Sequence, residues 1–73
     1  MAGVEARQRF AQNLRAQRQR RGWSQEELGF ACKLHRTEIS LLERAGRDPR
    51  LSTIIRLAHG LEIPPARLLN RVD

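Results

Sequence analysis

The stretch WSQEELGFACKLHRTEISLLE, residues 23–43, holds two short helical patterns, and between them there is room for only a three- or four-residue turn without Pro or Gly. Ser24 followed three residues later by Glu27 reads as a capping box, so a helix opens at Ser24. Leu28, Ala31 and Cys32 form its inward stripe. A second helix runs from about Arg36 to Arg44, with Ile39 and Leu42 turned inward. Two helices joined so tightly cross at a steep angle, the first bracing the second. Any fold for this chain has to be built around that pair.

The flanking sequence supplies the rest of a helical domain. Before the pair, Phe10 and Leu14 are four apart, and Gly22 is a natural stop for a first helix. The run RQRR at 18–21 lies in its last turn, where positive charge suits the helix dipole. After the pair, AGRDPR at 45–50 reads as a loop from its Gly, Asp and Pro. Ser52 is the expected cap of a fourth helix with Ile54, Leu57, Ala58 and Leu61 as its core residues. In EIPPARLLNRV, Pro65 suits a first helical position, and Leu68, Leu69 and Val72 give a short fifth helix an apolar face. The periodicity predicts a compact all-α fold of five helices in one domain over 1–73, with the paired helices at about 24–44.

The outward face of the second helix of the pair gives the strongest functional signal. With Ile39 and Leu42 inward, Thr37, Ser40, Leu41 and Arg44 point away from the core, and Arg36 and Thr37 stand at the N-terminal tip. The formal net charge is +6 and the isoelectric point is about 11.5; the basic residues are almost all Arg, Lys33 being the sole lysine. A guanidinium fork matches phosphates and base edges. Small polar, apolar and Arg side chains on an outward helix of a basic domain suit entry into a DNA major groove. The first helix of the pair offers free N–H groups and Gln25 at its start, both suited to a phosphate.

These residues resemble the Cro/lambda-repressor-like (XRE-type) helix-turn-helix proteins, whose pattern is roughly S-Q-x-x-L-A-x-x-x-G-V-S-x-x-x-I-S-x-x-E followed by a short basic loop ending near N-P-x-L. The chain offers Ser24, Gln25, Leu28, Gly29, Leu34, Ile39, Ser40 and Glu43, then Asp48, Pro49 and Leu51. The resemblance continues through STIIRLAHGLEIPPARLL and covers about residues 10–70. It implies a five-helix lambda-repressor-like domain. It also implies base contacts from Arg36, Thr37, Ser40 and Leu41, and DNA-backbone contacts from Gln25, Arg44, Arg47 and Arg50. Arg18 and Glu43 match an ion pair that ties the first helix to the third in that family.

Three positions depart from the family pattern. Lys33 stands where the turn usually has Gly, which costs on the order of 1 kcal/mol if the left-handed conformation is kept. His35 replaces the usual Ser cap of the recognition helix, and Gln17 a usual apolar residue. Elsewhere, Arg7, Arg9, Arg15, Arg20 and Arg21 are spread around the first helix, and most of them read as solvated charge adding long-range attraction. Phe30 is expected to be partly buried packing, and Trp23 a core or staple residue. Cys32 and His35 have a C-x-x-H spacing, but zinc would need two further ligands and Cys32 falls on the inward stripe, so no metal is expected. No nucleophile, base and orienter cluster is visible, so neither catalysis nor a cofactor is expected.

The leading expectation is a cytoplasmic, sequence-specific regulator of transcription acting on double-stranded DNA, a repressor or autoregulator by resemblance. One recognition helix reads only a few base pairs. A homodimer on a palindromic operator, with recognition helices about 34 Å apart, would read enough. Ile63, Leu68, Leu69 and Val72 are its candidate interface. A protein partner such as a toxin or RNA polymerase fits the same scheme. The alternative is an antitoxin or adaptor whose main task is binding a partner protein. RNA readers need aromatic stacking surfaces, and this chain has only Phe10, Trp23 and Phe30. The polar N-terminal stretch has no apolar signal core, and no membrane association is expected.

Overall fold

The computed structural model describes residues 2–72, with side chains from residue 5 onward. Four α-helices follow one another without any strand among the described residues: α1 (Ala2–Arg20), α2 (Gln25–Cys32), α3 (Arg36–Glu43) and α4 (Leu51–Leu61). Each helix is followed by a residue in the left-handed region: Gly22, Lys33, Ala45 and Glu62 in turn. After α1, Gly22 at φ 71° lets its own N–H reach the Gln19 carbonyl, and the Trp23 N–H reach that of Arg18. That is the Schellman arrangement, which pairs carbonyls the helix end leaves open.

The Ser24 capping box is formed in full, with Ser24 Oγ accepting from the Glu27 N–H at 3.0 Å and Glu27 Oε1 accepting from the Ser24 N–H at 2.8 Å. At the other end of α2 the chain makes the same left-handed turn, but on a lysine: Lys33 sits at φ 58°, ψ 40°. The next residue's N–H, that of Leu34, returns to the Gly29 carbonyl at 2.9 Å. The left-handed conformation is therefore kept with a Cβ present, and the associated strain, about 1 kcal/mol, is carried by the fold. His35 caps α3 in spite of its poor rank as a cap residue: its Nδ1 accepts from the Thr37 N–H at 3.0 Å, which requires that nitrogen to be unprotonated.

Two expectations about the C-terminal half are corrected. The cap of α4 is Arg50, not Ser52; Leu51 is already helical, and no side chain caps this start. The helix thus starts two residues earlier than the Ser52 signal suggests. The fifth helix is a single 3-10 turn, Pro65–Arg67, so the domain has four α-helices rather than five. The turn closes with i to i+3 bonds such as Leu68 N–H to the Pro65 carbonyl at 2.9 Å, and the chain leaves helical geometry at Arg71, φ 60°.

One core joins all these elements. Phe10 and Leu14 of α1, Leu28 and Cys32 of α2, Ile39 and Leu42 of α3, and Ile54, Leu57, Ala58 and Leu61 of α4 are buried together with Leu68. Each fully buried Leu, Ile or Phe stabilises the fold by about 1.5–3 kcal/mol relative to exposure. The C-terminal segment is pinned to α1 by polar contacts as well: Asn13 Nδ2 donates to the carbonyls of Leu68 (2.9 Å) and Asn70 (2.8 Å). Arg21 ties the ends of α1 and α4, donating to the Leu61 carbonyl at 2.6 Å and pairing with Glu62 at 2.9 Å. Its guanidinium also lies 5.1 Å from the centre of the Trp23 ring, which covers the edge of the core as a half-buried lid.

Candidate nucleic-acid interface

Helix α3 is held against the core by one side and leaves its other side open. Ile39 and Leu42 are fully covered, whereas Arg36, Thr37 and Arg44 are exposed and Ser40 and Leu41 are half-buried. Leu41 lies over the backbone of the following loop, so close that a Cβ built on Gly46 would come within 2.9 Å of its Cδ2. Its outer surface is what remains for a ligand. Arg47 and Arg50 are exposed on the loop between α3 and α4, beside the start of α3.

The angle of α3 is set from its C-terminal end by a buried carboxylate. The Glu43 side chain has no solvent exposure. Arg18 grips it with both arms of its fork, Nε to Oε2 at 2.7 Å and Nη2 to Oε1 at 3.0 Å, while Nη1 of the same guanidinium donates to the Trp23 carbonyl at 2.8 Å. The hydrogen bond from Glu43 and its charge hold the Arg18 pKa above its ordinary value, although burial opposes them. Gln25 adds a third donor, Nε2 to Glu43 Oε1 at 3.1 Å, and Arg15 approaches the same oxygen at 3.6 Å. Gln25, the residue assigned to a phosphate by resemblance, is thus also a strut between α2 and α3. Its half-buried amide spends one donor on Glu43 and keeps its remaining capacity at the start of α2.

The distribution of partners decides where the basic excess is felt. Arg7 sits 3.0 Å from Asp48, as an ion pair without the straight N–H···O line of a hydrogen bond. Arg47 pairs with Glu38 at 2.9 Å, and Arg21 with Glu62. Arg36, Arg44 and Arg50 make no ion pair among the described residues, and neither do Arg9, Arg20, Arg56, Arg67 and Arg71 elsewhere on the surface. Uncompensated guanidinium groups therefore sit at the tip of α3, at its C-terminal end and on the adjoining loop. A surface so arranged attracts a polyanion and offers forks to phosphates and base edges.

Several sequence expectations need correction here. Leu68 is completely buried in the chain's own core, its backbone clamped by Asn13, so it is not part of a surface that a second copy could use. Leu69 remains 43% exposed, and Ile63 and Val72 are half-buried against the core. Phe30 is not partly buried packing: it projects from α2 with 89% exposure, because α3 and α4 both pack on the opposite side, where Leu28 and Cys32 lie. Arg7, Arg15 and Arg21 are not simply solvated charge but each meets a carboxylate. The pairing of Arg47 with Glu38 across nine residues has no spacing signal that sequence could show; only the helical phase, which puts Glu38 on the flank of α3 next to the loop, hints at it. Cys32 is buried with its Sγ 3.8 Å from the Leu57 carbonyl, and that burial pushes its thiol up to about 11. His35 spends Nδ1 on the α3 cap.

Comparison with known proteins supports the same assignment of the pair. A protein-family model described as helix-turn-helix matches residues 14–68. A hypothetical transcription factor of Neisseria meningitidis is 42% identical over 60 residues, spanning 82% of this chain and 57% of that protein. The control protein C.SmaI of Serratia marcescens is 38% identical over 68 residues, spanning 93% and 81% of the two chains. Among solved structures, the restriction-modification controller protein C.AhdI from Aeromonas hydrophila superposes with a TM-score of 0.82 at 39% identity, over 85% of this chain and 94% of that one.

Proposed function

Because the chain belongs to the XRE-type helix-turn-helix family, we propose that it is a sequence-specific regulator of transcription on double-stranded DNA, of the restriction-modification controller kind. The observation that carries this reading is the open face of α3, with Arg36, Arg44 and Arg50 left without counter-ions around it. The chain works as one helix-turn-helix domain over 1–73 in the cytoplasm. Arg36, Thr37, Ser40 and the outer surface of Leu41 read base edges in the major groove, Arg36 as the fork for guanine O6 and N7. Gln25, Arg44, Arg47 and Arg50 hold the sugar-phosphate backbone and set the register without carrying sequence information. Repression or autoregulation follows from occupancy of the operator.

Two copies on a palindrome provide the length of address that one short helix lacks. Leu69, with the edges of Ile63 and Val72, is the apolar surface left for their contact once Leu68 is removed from it. Leu69→Glu lowers dimer and operator affinity together while the helix content is retained.

The central test uses a duplex selected from a random library and a panel of its single-base variants. Arg36→Ala relaxes preference at one position of each half-site by about 1–3 kcal/mol, and Arg44→Ala weakens all variants by a similar factor. An Arg36→Ala protein with unchanged base preference removes the reading role from that residue. Wild-type protein that binds every duplex alike overturns sequence-specific recognition.

A further inference from the structure

Glu38 is the one acid on the exposed side of the recognition helix that sits beside the loop arginines. Its carboxylate lies in a groove shared with Leu34, Arg47, Arg50, Ser52, Thr53 and Arg56. It accepts a hydrogen bond from Arg47 Nη1 at 2.9 Å, and it is the more covered partner, its side chain 24% exposed against 52% for Arg47. The helical phase explains the placement: Glu38 follows Thr37 by one residue, so it leaves the outward centre of α3 for the flank that faces the loop. In the DNA-bound arrangement proposed above, that flank is the one turned to the sugar-phosphate wall of the groove. A carboxylate is unwelcome there, and an arginine paired with it presents no net charge.

We propose that Glu38 is a specificity-determining residue: its ion pair withholds Arg47 from phosphates until α3 is seated in register on its operator. The inference rests on the DNA-binding reading above and deepens it. In a loose, unregistered complex a layer of water separates the loop from the backbone, and the closed pair releases no counterion. In the registered complex a phosphate lies close enough to compete for the guanidinium fork, and a phosphate gives Arg47 a charge-assisted and potentially bidentate partner. Arg47 then moves over to the phosphate, and Glu38 stays on the loop-facing flank without its partner. The pair thereby lowers affinity for the large background of unspecific sites more than affinity for the operator.

The salt dependence of binding isolates this device, because each phosphate neutralised steepens log K against log salt by about 0.9. The test measures binding of wild type, Glu38→Gln, Arg47→Gln and the double variant to a random-sequence duplex and to a duplex selected from a library, between 50 and 200 mM salt. On the random duplex Glu38→Gln binds more tightly and gains one phosphate contact, so its affinity falls roughly 3.5-fold further than that of wild type over that salt range. Arg47→Gln leaves the slope on the random duplex at the wild-type value, and the double variant returns to it. On the selected duplex Arg47→Gln loses about one contact of slope, and the ratio of selected to random affinity falls in Glu38→Gln. If the double variant keeps the gain of Glu38→Gln, Glu38 acts by simple repulsion and the proposal is overturned. It is equally overturned if Arg47→Gln flattens the slope on the random duplex with Glu38 intact. Wild type that binds neither duplex overturns the DNA-binding reading itself, a result distinct from both. Thermal melting of each variant checks that the substitutions at this half-exposed pair leave the fold in place.

Discussion

Removing either partner of the Arg18–Glu43 pair tests how the angle of the recognition helix is maintained. Glu43 is fully buried and Arg18 is 14% exposed at its side chain. Arg18→Met keeps most of the aliphatic stem but leaves Glu43 with Gln25 at 3.1 Å and Arg15 at 3.6 Å. Glu43→Met leaves a nearly buried guanidinium whose only remaining acceptor is the Trp23 carbonyl at 2.8 Å. Stranding one member of a buried pair costs about 3–5 kcal/mol. A domain of this length has a total stability of about 4–11 kcal/mol, so each single variant loses a large fraction of it. In the double variant neither charge is stranded, and two Met side chains fill similar volume. What remains lost are the hydrogen bonds of Arg18 to Trp23 and of Gln25 to Glu43, about 2 kcal/mol together. With each single variant losing about 3–5 kcal/mol and the double about 2 kcal/mol, the expected coupling energy is about 4–8 kcal/mol, and the double variant is more stable than either single one. Thermal and urea melts followed by the fluorescence of Trp23, the chain's one tryptophan, measure it; a single-variant loss of about 3 kcal/mol corresponds to roughly 12–24 °C in midpoint at this size. A coupling below about 0.5 kcal/mol, the value of an exposed pair, refutes the reasoning.

Three further outcomes follow from the core and its turns. The Cys32 thiol is pushed up to about 11 in the folded chain from an ordinary value near 9, so above pH 9 the unfolded chain gives up its proton while the folded one keeps it. Stability is unaffected below pH 9 and declines by about 2–3 kcal/mol as pH rises to 11; urea melts at pH 8 and 10.5 show this, and Cys32→Ala lacks that decline. Gly60 faces Cys32 so closely that an added Cβ would overlap Sγ and come within 2.9 Å of the Ala31 carbonyl. Gly60→Ala destabilises by about 1–3 kcal/mol, and Cys32→Ala in the same chain recovers part of the loss, because the sulfur is the nearer obstacle; a thermal-melt cycle in which the two effects simply add contradicts this. Lys33→Gly relieves the left-handed turn at φ 58° and stabilises by about 0.5–1 kcal/mol, read as a rise in melting midpoint with DNA affinity little changed.

The helix pair, its capping box and its inward stripe were legible in the sequence because they rest on local chemistry. Ser24 and Glu27 satisfy each other's backbone across a single turn, and Leu28, Cys32, Ile39 and Leu42 repeat at the period of one helix face. The outward set on α3 follows from the same phase, since whatever the core does not take is left to solvent. The end of the chain was less legible. Leu68, Leu69 and Val72 have helical spacing, but Asn13 on α1, 55 residues from Leu68, takes the carbonyls of Leu68 and Asn70, and Leu68 goes into the core. Phe30 has the same intrinsic preference for burial as Phe10 and is exposed because no other element reaches its side of α2. The charges show the division most plainly. Composition established a basic surplus of +6, but which arginines remain available depends on carboxylates brought near from elsewhere. Asp48 takes Arg7, Glu43 takes Arg18, Glu62 takes Arg21 and Glu38 takes Arg47. Spacing along a chain predicts which residues share a helix face; the pairing of charges 9 to 41 residues apart exists only once the helices have packed.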